Sequence, residues 1–347
     1  MHFCYRPDAM AADPSTENVD RSTATERRSI WRTVLPFVVA LVLVGFVLSR
    51  LDLHAFLVHL KRVSSPFFFP AVITFVIALC AADSFATVLV YRGSVANIRF
   101  RDFFILRGAS YLPSILNHHL GQAFITLALA RIHGVALARV AGATLLVYAS
   151  WMGCILGLAC IAILLVGKPL VWLAAPLGAG IVYLIILQIR PARLAQNRVL
   201  APLFEAGVKG HLVALASRLP HLAVLFLGTW LPFWFFDVRI PVEAAFTYVP
   251  IIMVAVTLPL TPQGFGTRDV LAATFFEPYG PAGSQADRLA AIAACTTAWG
   301  IAITLVDIVF ALALLRLLPV RLTDIRTASS AETTKLDEPA HHEAERS

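Results

Sequence analysis

Six apolar runs, at residues 31–49, 66–91, 140–166, 170–189, 219–236 and 288–315, restrict what this chain can become. The hydrocarbon core of a bilayer is about 30 Å thick, and about 20 residues of helix cross it. A helix satisfies its own backbone N–H and C=O groups where no water can. The runs therefore predict an all-α integral membrane protein with about six transmembrane helices. Composition excludes the soluble alternative. Of 347 residues, 59% are hydrophobic and 14% charged, whereas soluble domains carry about 25% charged residues.

Charge orients the spans. Arg27, Arg28 and Arg32 flank the start of the first run. Arg92, Arg99, Arg101 and Arg107 follow the second, and Arg190, Arg193, Arg198, Lys209 and Arg218 follow the fourth. Arg316, Arg321 and Arg326 follow the last. Basic residues gather on the cytoplasmic side of short loops, so both termini are expected in the cytoplasm. The polar stretches 1–30 and 319–347 have little to bury and read as disordered tails, leaving residues 31–318 as the membrane domain. Residues 1–32 hold five basic and five acidic side chains, and residues 316–347 hold five and six. The body between them keeps eighteen basic against ten acidic. Positive-inside bias produces such a surplus, and an anionic lipid surface or lipid substrate also suits it. Nucleic acid is not an expected partner. Interfacial helices are expected over residues 50–63 and 203–217. Cys4, Cys80, Cys154, Cys160 and Cys295 form no CxxC pair, and neither a metal site nor a cofactor is expected from them.

Two further apolar stretches are broken. Leu258-Pro259-Leu260-Thr261-Pro262-Gln263-Gly264-Phe265-Gly266-Thr267-Arg268-Asp269 lies between the apolar runs 248–256 and 270–276. Proline removes a backbone donor and clashes with the preceding turn, and glycine permits positive φ. Backbone freed in this way must be buried in protein or line a wet cavity. The other break is Tyr111-Leu112-Pro113-Ser114-Ile115-Leu116-Asn117-His118-His119-Leu120-Gly121-Gln122, with arginine on both sides at Arg107 and Arg131. Two re-entrant elements are expected, the first entering from inside and the second from outside. Each has a Leu-Pro step, a polar break with glycine, a short apolar helix and then a long span. That is the pattern of an inverted repeat, of the kind from which transporters build midplane substrate sites.

These two stretches resemble the signature regions of the flippase-like transmembrane domain of lysylphosphatidylglycerol synthases and their stand-alone relatives. The resemblance covers residues 31–318 by the order and spacing of apolar segments. Family members show a proline break and then Gly-x-Gly-x-Arg-Glu. Gly264, Gly266 and Arg268 match it, with Asp269 in place of the glutamate. The first region departs further, with Gln122 where the family has an acid. The resemblance implies a bacterial cytoplasmic membrane and a lipid substrate. The soluble lysyl-transferring domain of the two-part enzymes does not fit into residues 319–347.

The candidate substrate-binding residues are Asn117, His119, Gln122 and Arg131 at the first break and Gln263, Arg268 and Asp269 at the second. Arginine suits bidentate phosphate recognition, and a neighbouring carboxylate can hold it in place. The adjacent His118 and His119 point about 100° apart on a helix and do not share a metal. Asp83, Glu277 and Asp307 are candidates for a translocation pathway or for buried hydrogen-bond anchors, since ionised groups at membrane depth are costly. Three function classes follow. The first is a transporter or flippase for an anionic or isoprenoid-type lipid. The second is a membrane enzyme acting on a lipid-linked substrate, and the third an accessory protein of lipid or envelope biosynthesis. The sequence contains no Asp-x-Asp, Ser-x-x-Lys or His-Glu-x-x-His arrangement, which favours transport over enzymatic chemistry. A second copy of the chain or a lipid-biosynthesis enzyme would be a fitting protein partner.

Overall fold

The computed structural model describes residues 66–257 and 266–318, together with Val58 and Lys61. The expected first span, the amphipathic segment 50–63 apart from those two residues, both tails and Gln263 lie outside the described residues. Among the described residues all regular structure is helical. Helix α1 spans Phe68–Ser94, α2 Phe100–Ala109, α3 Tyr111–Leu116, α4 His118–His133 and α5 Leu137–Leu165. Helix α6 spans Ala174–Ile189, α7 Ala192–Ala195, α8 Ala201–Trp230, α9 Val242–Thr257, α10 Thr267–Phe276 and α11 Gln285–Leu315. Five elements are long and apolar enough to cross a membrane: α1, α5, α6 with its leading 3-10 turn, α8 with its trailing one, and α11. The protein is an all-α, multi-pass membrane protein.

Ile73, Ile77, Trp172, Ile181 and Val309 are exposed on the outside of the bundle, where the surrounding medium is hydrocarbon and apolar side chains lose nothing. Helix α6 has 6% of its apolar window buried, against 44% for α1, so α6 lies at the periphery. The centre is built by α1, α5, α8 and α11, with α2 wedged between α1 and α11.

The bundle has two distinct ends. At one, Val95, Ala96, Val135 and Leu318 pack on a shared core with Ile98, Phe103 and Val140, so α1, α4 and α11 finish there and α5 begins. At the other, Phe68 meets Phe235, Phe236 and Trp299 edge-on, with ring centroids 5.5 to 6.3 Å apart. The Arg239 N–H also donates to the Tyr279 carbonyl at 2.8 Å. That bond joins the loop before α9 to the turn after α10. The α9–α10 element thus starts and finishes at one end, and α3–α4 turns back toward the opposite end. Each also packs on the long helix that follows the other: α9 lies on α5, and α3 on α11. This reciprocal packing has the form expected of two related halves.

Glycine permits both breaks. At Gly121, a Cβ would lie 1.8 Å from Ser114 Oγ and 2.9 Å from the Ser110 carbonyl, so only glycine lets α4 fold back against α3. Asn117 Oδ1 accepts the His119 N–H at 2.8 Å and caps α4, as short polar side chains do at helix starts. Gly266 opens α10 at φ 80°, and the Asp269 carboxylate accepts its N–H at 2.9 Å.

One boundary differs from the sequence expectation. The interfacial helix over residues 203–217 is not separate from the span at 219. Helix α8, Ala201–Trp230, kinks out of helical geometry at Gly207 (φ 58°, ψ −175°), and from there it continues past residue 218 into the span. Arg218 suggested the boundary because an arginine beside an apolar run reads as an interfacial charge. In the fold it is 3% exposed and faces the bundle interior.

The hydrogen bond between residues 239 and 279 makes a topological prediction. In a cysteine-free background, Asp237→Cys and Ala282→Cys should react with an impermeant maleimide from the same side of the membrane. Reaction from opposite sides would show that α9 and α10 together cross the bilayer.

Candidate functional site

The strongest polar constellation centres on Asp83, one turn below Thr87 on α1. The two project toward α8, where Arg218 and His221 stand three residues apart on one face. Arg218 Nη1 donates to Asp83 Oδ1, and its Nη2 donates to Thr87 Oγ1 at 3.2 Å. His221 Nδ1 lies 3.1 Å from Asp83 Oδ1. From α2, Arg107 Nε approaches Asp83 Oδ2 at 2.6 Å. Arg107 Nη1 donates to Gln122 Oε1 on α4 at 2.9 Å. Four helices therefore meet through one carboxylate and two guanidinium groups. Their side chains are 7% (Asp83), 11% (Arg107) and 3% (Arg218) exposed.

The surroundings hold these groups in place. Trp151 on α5 stacks on His221 with centroids 5.4 Å apart and planes 23° apart. The Arg107 guanidinium lies 5.6 Å from the Tyr111 ring centre, within cation–π range. Burial works against a charge on Arg107, but the Asp83 carboxylate outweighs it, so the pKa of this guanidinium moves up and it stays protonated. Nearby, Tyr91 Oη and Thr144 Oγ1 are 2.8 Å apart, and Thr126 Oγ1 lies 3.4 Å from Thr144 Oγ1. This polar path runs from α1 through α5 to α4.

The second break is built differently. Asp269 is buried, with one carboxylate oxygen on the Gly266 N–H. Its other oxygen is 3.9 Å from Arg268 Nε, at the edge of ion-pair reach. Arg268 Nη2 instead donates to the Thr296 carbonyl on α11 at 2.8 Å, tying the start of α10 to the long helix beside it. Arg268 and Asp269 thus form a long ion pair, and each has a further hydrogen-bond partner.

The remaining candidates are dispersed. Asn117, His118, His119 and Arg131 are exposed along α4, and Asn117 serves as a helix cap. Glu277 pairs with Arg288 at 2.6 Å at the other end of the bundle. Asp307 is half-buried on α11, one turn from Phe310, whose ring packs against Phe104 and Tyr111. It therefore faces the α2–α3 junction. Among the described residues, no three of His, Cys, Asp and Glu come together as a metal-binding group would.

Of the sequence candidates, the fold joins Asp83 and Gln122 in one network through Arg107, while Arg268 and Asp269 lie at the other break. Arg107, Arg218, His221 and Trp151 were not among the candidates. The two arginines read as inner-face charges, yet both point into the bundle. The signal available was spacing: Asp83 and Thr87 four apart, and Arg218 and His221 three apart, each inside an apolar helix.

Residues 33–305 match the family described as Lysylphosphatidylglycerol synthase TM region. The chain belongs to this family. The matched stretch contains both broken elements and every member of the Asp83 network, and stops two residues before Asp307. No curated protein and no solved structure gives a significant match. Membership places the chain among membrane proteins of lipid or envelope biosynthesis or transport.

Proposed function

We propose that this protein moves an anionic or isoprenoid-type lipid across the bacterial cytoplasmic membrane, with both termini on the cytoplasmic side. The observation that carries the reading is the reciprocal packing of the two broken elements, α3 on α11 and α9 on α5. A carrier must expose one binding site to each side in turn, and two half-structures reaching in from opposite ends supply one gate for each side. Among the described residues, the breaks contribute Gln122, which contacts Arg107, and Arg268, which contacts α11. Arg268 offers a planar fork to an anionic headgroup, with Asp269 holding the backbone turn beneath it.

The test is reconstitution in liposomes that carry a fluorescent anionic phospholipid, with a membrane-impermeant quencher added outside. Proteoliposomes should lose the protected inner-leaflet signal faster than protein-free liposomes. Arg268→Lys keeps the charge and loses the fork, so transfer should slow while the protein remains folded. Transfer at the protein-free rate for anionic and isoprenoid lipids alike would remove the transporter reading. A wild-type rate in Arg268→Lys would make that arginine purely structural.

A further inference from the structure

We propose that the buried cluster of Arg107, Arg218 and Asp83 is an anion-binding site that takes the phosphate of a lipid headgroup; this deepens the transporter reading and rests on it. The first ground is charge. Two guanidinium groups face one carboxylate, and all three side chains are at most 11% exposed. His221, the fourth member, adds no negative charge. A buried cation without a counter-charge is costly. Asp307 on α11 feels the charge of Arg107 but, among the described residues, forms no ion pair with it. Within ion-pair distance the cluster therefore holds two positive charges against one negative, and a phosphodiester would supply the second.

The second ground is donor geometry. Arg218 Nε is buried and has no hydrogen-bond partner among the described residues, although Nη1 and Nη2 of the same group are engaged. A guanidinium presents its N–H groups in a fixed planar fork that matches two oxygens of a phosphate. Thr87 contributes a neutral polar group beside Arg218, and Gln122 one beside Arg107.

The third ground is access. Gln122 separates Arg107 from the first break, where Asn117, His118, His119 and Leu120 are exposed. The hydrogen bond between Arg107 Nη1 and Gln122 Oε1 links the guanidinium to the helix that starts at that surface. A phosphate that displaced the amide oxygen would reach Arg107 without disturbing the Asp83 contacts.

The test is equilibrium binding to the full-length protein in detergent, independent of transport. The probes are phosphatidylglycerol, inorganic phosphate and a diacylglycerol with the same acyl chains. Trp151 stacks on His221, so its fluorescence reports on the cluster, and Trp151→Phe identifies its share of the signal. Phosphatidylglycerol should give a saturable change that diacylglycerol does not. Arg218→Lys should weaken that binding by about ten- to a hundredfold, the range for losing a charge-assisted hydrogen bond. Arg239→Gln, at an exposed pair on the far end of the bundle, should bind as wild type does. Should Arg218→Lys not fold, Gln122→Leu replaces it: it removes the amide oxygen that the phosphate must displace from Arg107, so phosphatidylglycerol binding should tighten.

Equal phosphatidylglycerol affinity in wild type and the folded variant would overturn the site. Binding of inorganic phosphate without phosphatidylglycerol would overturn the lipid assignment. Competition between the two would support phosphate as the recognised group. The two readings fail separately: wild-type transport in Arg218→Lys liposomes would sink this site alone, and Arg218-dependent binding without transport by the wild type would sink the transporter alone.

Discussion

Asp83→Ala should cost about 3–5 kcal/mol of stability, the range for removing one partner of a buried ion pair and stranding the other. Two guanidinium groups converge on this one carboxylate, from α2 and α8, so its loss leaves both of them uncompensated. The expected result in detergent is a large fall in melting temperature or a protein that does not leave the aggregated fraction. Asp83→Asn keeps an acceptor and should fall between wild type and alanine. Replacing the cluster as a whole has a different outcome. A triple variant with Asp83→Leu, Arg107→Met and Arg218→Met removes the charges together and should recover much of the lost stability, since apolar substitutes for buried ion pairs are often neutral or better. If Asp83→Ala melts as wild type does, water or headgroups already solvate these arginines and the cluster is not a dry ionic core. Recovery of stability in the triple variant without recovery of transport would separate what the cluster does for folding from what it does for function.

Gly121→Val should disrupt the first broken element about as severely, by a steric route. An added Cβ would sit 1.8 Å from Ser114 Oγ and 2.9 Å from the Ser110 carbonyl. The hydroxyl can rotate away, but the backbone carbonyl cannot, and overpacking a tight site costs about 1–3 kcal/mol or more. Gly121→Ala should be milder in degree and the same in sign. Because α3 packs on α11 and α4 on α5, spreading the α3–α4 turn would also move Gln122 away from Arg107. Protease sensitivity near residue 117 should rise in Gly121→Val. Unchanged melting and unchanged proteolysis would show that α3 and α4 do not fold back as closely as described.

A lipid environment made the fold class legible from sequence. A continuous apolar run of 20 or more residues has one low-energy form in hydrocarbon, so the runs at 66–91, 140–166, 170–189 and 288–315 all appear as helices within a few residues of their expected bounds. The first Pro/Gly break was legible for the same reason, with α3 ending at Leu116 and α4 starting at His118. The Gly266–Asp269 turn also follows from local rules: a glycine at positive φ, then an acid three residues later that accepts its N–H.

The candidate site was only partly legible. Asp83 and Gln122 stood out as polar groups at membrane depth, but Arg107 and Arg218 did not, since an arginine near the end of an apolar run looks the same whether it snorkels to the surface or turns inward. The choice depends on what faces it across the bundle. Asp83 lies 24 positions before Arg107 and 135 before Arg218, and no local pattern brings them together. By itself, then, the sequence determined the helices, their breaks and the residues at which the backbone could turn, because those depend on hydrocarbon length and on φ and ψ within a few residues. Only the tertiary structure decided which charges share a site, because a buried guanidinium is stable only opposite a carboxylate, and the packing of α1 against α2 and α8 places one there.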